Sequence, residues 1–375
     1  MSKVPGRLIT YCTNIHPGEG WWEHFAALRC HVPAVKAAVS PHRAFPLGLR
    51  LSRRAADELS DGEHERFVAW LREHDCFVPT INGFPYGAFH GERIKERVYL
   101  PDWRSPERAA YTMRLADLLA GWLPAGIVGS ISTVPIGFKG MVADADLPEV
   151  RRQLIPVLEH IEALRAVSGK EIVLALEPEP GCLLETTEEV CRFFEVMAFP
   201  AELRDFIGVC YDCCHQAVEF EEPEDSLARL ANAGIRIAKV QVSSALSLTS
   251  PTVAQLGRFD EPCYLHQVAV RRRDGALYRF RDLPDAIAEH AGLADAEWRC
   301  HFHVPIFSPG AADFGTTRRF LEQALPLLPG EPLLEVETYT FDVLPPELRR
   351  ESVTDSIIRE IQWLEAQVDA AHCRP

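Results

Sequence analysis

Short apolar runs rich in β-branched residues alternate along this chain with longer stretches whose apolar positions recur every three or four residues, the pattern of repeated strand–helix units. The runs predict strands at Leu8–Asn14, Leu47–Ser52, Phe77–Asn82, Ile127–Thr133, Ile172–Glu177, Ile207–Asp212, Ile237–Ser243 and Leu333–Thr338. The amphipathic stretches predict helices at Glu23–Val39, Ala55–His74, Pro106–Leu123, Leu147–Ser168, Thr187–Met197, Glu224–Asn232 and Thr316–Leu328, with a closing helix at Glu351–Val368. Eight strands alternating with helices, and no G-x-G-x-x-G after the first strand, favour a closed (β/α)8 TIM barrel over an open doubly wound sheet.

One region breaks the repeat. Between the seventh and eighth strands, Tyr264–Val270 and Ala276–Phe280 flank Arg273-Asp274-Gly275 and predict a β-hairpin, and Arg299–Ile306 predicts a further extended segment. An insertion at about 250–310 is therefore expected to cover or complete the site at the barrel mouth. No linker, low-complexity tract or repeat of solenoid period divides the chain, so residues 1–375 are read as one domain.

Composition narrows the function classes. At 375 residues and 47% hydrophobic the chain can bury a large core. A formal net charge of −15 counts against a protein whose task is gripping phosphate backbones, so no nucleic-acid partner is expected. The one compact basic run, Arg271-Arg272-Arg273, reads as solvated charge at the hairpin tip. No cleavable leader or membrane-spanning apolar run is visible, and eleven scattered cysteines read as reduced thiols; a cytoplasmic protein without membrane insertion is expected. The partner is a small-molecule substrate, and the chain leaves room for a homo-oligomer.

In such a barrel the reactive groups lie where strands end and βα loops begin. Those ends are polar here: Asn14-Ile15-His16 after the first strand, Asn82-Gly83-Phe84 after the third, Glu177-Pro178-Glu179 after the fifth, Asp212-Cys213-Cys214-His215 after the sixth, Gln241 in the seventh and Glu335-Val336-Glu337 in the eighth. An isolated acid after a strand is more often an exposed loop residue or an ion-pair partner. Three acids that each follow an apolar strand, Glu177, Asp212 and Glu337, would be costly to desolvate together unless a cation neutralised them. Oxygen-rich ligation with some imidazole suits Mn²⁺, Co²⁺, Zn²⁺ or Mg²⁺. Glu337 is preferred to Glu335 because it sits nearer the catalytic rim, and Glu177 to Glu179 because the flanking prolines place Glu179 beyond the strand. His301 and His303 alternate on an extended segment and so share a side; His303 is read as a ligand, with His301 and His266 as substrate contacts. The C-x-x-C within Cys210–Cys213 lacks a second pair and reads as structural thiols.

These motifs resemble the xylose isomerase-like TIM-barrel superfamily of sugar isomerases, epimerases and endonuclease IV. The resemblance rests on Leu176-Glu177, Asp212-x-x-His215, Val240-Gln241-Val242 and Pro332-Leu333-Leu334 through Glu337-Thr338. The run Leu8–Glu19 is similar to the EboE group, described as metabolite traffic proteins or sugar phosphate isomerases/epimerases. The resemblance implies that Glu177, Asp212, the seventh-strand residue and Glu337 hold one divalent ion. That seventh-strand residue is usually His but is Gln241 here, so either the metal is harder or His303 supplies the missing imidazole. The epimerase branch further implies that Glu177 and Glu337 are the catalytic acid–base pair, with His16, Asn82, Phe84 and His215 contacting the substrate. Two readings compete with a sugar or polyol isomerase: an endonuclease-type phosphodiesterase, and a non-catalytic metabolite carrier.

Overall fold

The computed structural model describes residues 7–91 and 93–372. Its first seven strands are β1 (Ile9–Tyr11), β2 (Phe45–Arg50), β3 (Cys76–Asn82), β4 (Val128–Thr133), β5 (Glu171–Leu176), β6 (Ile207–Asp212) and β7 (Ile237–Val242). Six short strands follow: β8 (Leu246–Thr249), β9 (Val268–Arg272), β10 (Leu277–Phe280), β11 (Ala296–Cys300), β12 (Gly310–Ala311) and β13 (Phe314–Thr316). The last is β14 (Leu333–Val336). Strands β1 to β7 and β14 make an eight-stranded parallel sheet in the order β1-β14-β7-β6-β5-β4-β3-β2. A parallel bridge between Cys12 and Gly48 brings its two ends together. This is a (β/α)8 TIM barrel, with helices packed outside the strands.

Why these segments become strands follows from their two faces. Leu174, Leu176, Val209, Val240, Val242, Leu334 and Val336 are all buried, as expected where helices cover the outside of a parallel sheet. The inward positions of the same strands are small or polar. The inward set includes Lys239 and Gln241 on β7 and Glu335 on β14, two residues before Glu337. Lys239 and Glu335 form an ion pair of 2.5 Å with both side chains fully buried. Gly48 makes room for it, since a Cβ there would stand 1.7 Å from Glu335 Oε1.

The helices begin and end where their caps dictate. Thr186 accepts from the Glu189 N–H and Glu189 returns a carboxylate to the Thr186 N–H, a reciprocal cap that starts Thr187–Met197. Gly169, at φ 69°, ends Leu147–Ser168 with its N–H on the Arg165 carbonyl. The long helix expected at Ala55–His74 is instead two, Arg53–Glu58 and Asp61–Glu73. Ser52 caps the first through the Ala55 N–H, and Ser60 restarts the second in an extended conformation, which continuous amphipathic spacing conceals.

The insertion is larger than the hairpin expected from sequence. Strands β8 to β13 form a six-stranded antiparallel sheet in the order β10-β9-β11-β8-β13-β12. β9 and β10 pair around Asp274-Gly275, and the basic run is held by acids, with Arg271 on Glu297 at 3.0 Å and Arg273 on Asp295 at 2.7 Å. From β11 the chain passes over the barrel mouth as His301–Ile306. Its backbone is fixed by His301 N–H to the Gln267 carbonyl, Val304 N–H to the Ser244 carbonyl and Ile306 N–H to the Glu360 carboxyl. Among the described residues no helix is long and apolar enough to cross a membrane, and no cysteine is in a disulfide.

Candidate metal centre

Glu177, Asp212, Gln241 and Glu337 leave β5, β6, β7 and β14 at the same end of the barrel, and all four are buried. The acids Glu177, Asp212 and Glu337 bring ligand atoms within 4.8 Å of one another. Part of their hydrogen-bonding capacity is used. Glu337 Oε1 accepts from Asn14 Nδ2 at 2.7 Å, Asn82 Nδ2 at 3.0 Å and Gln241 Nε2 at 3.3 Å. Asp212 Oδ1 accepts from the His215 backbone N–H at 2.9 Å and Ser243 Oγ at 2.8 Å. The opposite oxygens, Glu177 Oε2, Asp212 Oδ2 and Gln241 Oε1, are buried and accept nothing.

An unpartnered buried polar atom costs about 1–3 kcal/mol, more when charged. Three such oxygens on neighbouring strand ends, two of them carboxylate, make a cradle whose missing partner is positive. Burial first and the charge of Asp212 second push the Glu177 carboxyl up to about 8. Burial, then Glu177 and Asp212, hold Glu337 well above the usual carboxylate range. The nearby ammonium of Lys239 does not resolve this crowding, because Glu335 engages it from below. A divalent ion fits the donor set: hard oxygen ligands with the amide oxygen of Gln241 turned free by its own N–H bond to Glu337.

Three imidazoles stand above this floor. His215 is the third residue of the helix Cys213–Val218, whose N-cap is Asp212, and His301 and His303 come from the crossing segment. His215 Nε2 lies 3.1 Å from His301 Nε2, which lies 3.2 Å from His303 Nε2. Burial would lower His215, but Asp212, Glu179 and Glu177 outweigh it and raise its pKa. Burial and then its two histidine neighbours hold His301 well below the ordinary value, and burial takes His303 down to about 4.

The cavity above these groups is lined on its polar side by Asn14, Asn82, Glu177, Glu179, His215, His301 and Glu337. The same cavity is also lined by aromatic and aliphatic side chains, including Phe84, Phe89, Ile94, Tyr99, Tyr264 and Tyr339. Lys95, the one lysine or arginine among these lining residues, is tied to Asp282 at 2.7 Å. Asn82 and Phe84 thus line the cavity with Glu177 and Glu337, while Asp212, Gln241 and His303 are buried and do not line it.

Two residues named from sequence as substrate contacts stand elsewhere. His16 turns its Nε2 to the Tyr11 hydroxyl at 3.2 Å and stacks on His31, because the chain after β1 coils into the short helix Thr13–Ile15. His266 uses both ring nitrogens, one on the His301 carbonyl and one on Glu261, each at 2.8 Å. Glu179, set aside on its flanking prolines, is buried and accepts from Tyr99 Oη at 2.7 Å and Gln267 Nε2 at 3.2 Å. Its two-residue spacing from Glu177 was the available signal; Tyr99, at the end of the short helix Lys95–Tyr99, and Gln267, just before β9, carry none.

No family model matches the chain, and no curated protein matches it. Solved structures do. A structure of the IolI protein with a binding zinc atom matches at TM-score 0.52 and 12% identity over 98% of this chain and 100% of that one. A xylose isomerase-like TIM barrel protein from Mycobacterium smegmatis in complex with magnesium matches at TM-score 0.56 and 11% identity, covering 97% of each chain. L-ribulose 3-epimerase matches at TM-score 0.53 and 12% identity over 98% of this chain and 96% of that one. Likeness at this identity establishes the fold alone, a TIM barrel.

Proposed function

We propose that this chain is a cytoplasmic, single-domain, metal-dependent isomerase or epimerase that moves a proton at a carbon beside a carbonyl in a small polyol-type metabolite. The observation that carries this reading is the set of three unpartnered buried oxygens, on Glu177, Asp212 and Gln241, beneath a cavity that Glu177 and Glu337 both line. With Glu337 they supply four oxygen ligands, and the neighbours of the same fold that hold zinc or magnesium support a divalent ion there.

A bound ion would polarise the substrate carbonyl and so acidify the adjacent C–H. Glu177 and Glu337, the two metal-side carboxyls that line the cavity, would then act as the proton acceptor and donor. Asn14 and Asn82 hold the Glu337 carboxylate in one orientation, leaving its second oxygen to face the substrate. His215, fixed through Nδ1 on the Pro178 carbonyl, orients a substrate oxygen. The aromatic wall shields the reacting carbon from water. With Lys95 already paired, the cavity suits an uncharged substrate better than a phosphate ester, which also disfavours the phosphodiesterase reading. The narrower tie to the EboE metabolite traffic group rests on the Leu8–Glu19 run.

The test is solvent exchange. Chelator-stripped protein reloaded with Mn²⁺, Co²⁺, Zn²⁺ or Mg²⁺ is incubated in D2O with a panel of free ketoses and inososes, and the sugars are analysed by mass spectrometry. One deuterium entering a substrate, abolished in Glu177→Gln and Glu337→Gln, is the expected result. Calorimetric binding of a sugar with no deuterium uptake under any of the ions overturns the enzyme and leaves a carrier.

A further inference from the structure

Phe89 and Tyr264 each line two hollows. On their inner side is the cavity above the oxygen cradle, whose volume of about 60 Å³ is far below the roughly 300–1,000 Å³ of pockets that enclose a small-molecule ligand. On their outer side is a surface groove of about 1060 Å³, lined also by Pro17, Arg93, Pro262 and Val343. A polyol does not fit the inner cavity as it stands, so part of the wall moves whenever a substrate enters.

Which part moves follows from what holds each. The strand ends are fixed by the barrel and His301–Ile306 by its backbone N–H bonds. The Tyr264 segment is fixed too: Glu261 accepts from the Cys263 and Tyr264 N–H groups at 2.7 and 2.8 Å, and the Cys263 carbonyl accepts from Ile94 and Lys95. The loop after β3 is anchored as far as Gly87, by Arg108 on the Gly83 and Phe84 carbonyls, the Arg53 N–H on the Tyr86 carbonyl and buried Arg50 on the Gly87 carbonyl. From Ala88 to Gly91 no backbone group pairs with another backbone group among the described residues. Glycines flank this stretch. A Cβ at Gly87 or Gly91 would meet nothing within 4 Å, and Gly91 has φ 78°, so glycine supplies freedom here rather than room.

Side chains keep the stretch shut. Phe89 packs on Tyr264 and Tyr339 with ring centroids 5.5 and 5.2 Å apart. His90 Nε2 lies 2.5 Å from the Asn14 carbonyl, which can only accept, so Nε2 carries the proton and Nδ1 accepts from the Tyr264 hydroxyl at 2.6 Å. Asn14 also donates through Nδ2 to Glu337 Oε1 at 2.7 Å, so the residue that receives His90 is the one that holds the carboxyl.

We propose that Ala88–Gly91 is a gate between groove and cavity, with Phe89 as its plug and His90 as the positioning residue that latches it. Opening swings Phe89 into the outer groove and gives a polyol a path to the cradle. Closing returns His90 to the Asn14 carbonyl, Asn14 sets Glu337, and the shut aromatic cluster excludes water from the reacting carbon. The gate is independent of the reaction; its coupling to Glu337 rests on the proton-transfer reading.

The experiment is thiol trapping in the full chain. Leu265→Cys puts a thiol on the inner cavity, where Leu265 is buried, and its rate of alkylation by iodoacetamide, read by peptide mass spectrometry, reports how often the gate is open. Val98→Cys, on the same cavity, serves if that variant does not fold. Cys76, buried at the opposite end of β3, reports general loosening in the same sample. Phe89→Ala and His90→Ala should each speed labelling at the cavity thiol by about tenfold with Cys76 unchanged. His90→Gln, whose amide can donate to the Asn14 carbonyl and accept from Tyr264, should stay within about threefold of the parent. Unchanged labelling in both alanine variants overturns the gate, as does an equal rise at Cys76; a His90→Gln rate matching His90→Ala overturns the latch. The coupling is read in the deuterium-exchange assay, where His90→Ala should lower kcat by about tenfold and leave KM within about threefold, and a loss confined to KM overturns it. Labelling that follows this pattern while no protein exchanges deuterium upholds the gate and sinks only the isomerase reading.

Discussion

Glu360 offers a test of how the closing helix supports the site. It lies on the helix Val353–His372, fully buried, and its Oε1 accepts from the Ile306 N–H at 3.0 Å and the Thr338 hydroxyl at 2.7 Å. Those two partners belong to the segment carrying His303 and to the turn after Glu337. Its Oε2 accepts nothing, and burial pushes the carboxyl up to about 7 despite both hydrogen bonds. In the unfolded chain the group titrates near its ordinary value of 4.5. Between those values the folded state holds the proton and the unfolded state has lost it, so this group's contribution to stability falls as pH rises. The full drop is about 2.5 units, or about 3 kcal/mol at 1.36 kcal/mol per unit, and is complete above about pH 7. Glu360→Gln keeps the shape and an accepting oxygen but cannot ionise. The stability difference between variant and wild type, from urea denaturation of metal-free protein, should therefore shift toward the variant by about 3 kcal/mol between pH 4.5 and pH 8. Other titrating groups cancel in that difference. A gap that stays constant within about 1 kcal/mol across the range would refute the reasoning.

Two further outcomes follow from the barrel interior. Replacing either member of the Lys239–Glu335 pair alone, as in Glu335→Leu or Lys239→Met, should cost about 3–5 kcal/mol because it strands a buried charge, whereas the double replacement should lie within about 1 kcal/mol of wild type; additive single losses in urea denaturation would contradict a coupled pair. Adding Mn²⁺ at one hundred times its dissociation constant should stabilise the wild type by about 2.7 kcal/mol and Asp212→Asn hardly at all, and equal shifts in thermal midpoint would remove Asp212 from the ligand set.

The barrel was readable from sequence because its strands are buried on their outer face, and a buried parallel strand writes itself as a short apolar run. The predicted and observed bounds of the strand Ile207–Asp212 coincide for that reason, and those of the helix Leu147–Ser168 coincide because Gly169 ends its amphipathic run in the left-handed region. The insertion was harder. Strands such as β12 and β13 are two and three residues long and are defined by their partners rather than by any pattern of their own. Likewise, the break at Leu59–Ser60 depends on a backbone turn within an unbroken amphipathic stripe.

The site divides along the same line. Glu177, Asp212 and Glu337 could be found because a strand end is a fixed address in this architecture, and a carboxylate after an apolar run is conspicuous. His301 and His303 could be paired by alternation, but alternation gives a side and not a direction. Their direction is decided by Gln267 and by the Glu337 carbonyl, which hold Nδ1 and so turn Nε2 inward. The same logic removes His266: on a neighbouring segment, with equal claim from sequence, it spends one nitrogen on the His301 carbonyl and the other on Glu261. Whether a histidine can serve as a ligand is thus settled by what its second nitrogen meets. In this chain that information lies 34 residues away from each of His301 and His303, beyond the reach of any local pattern.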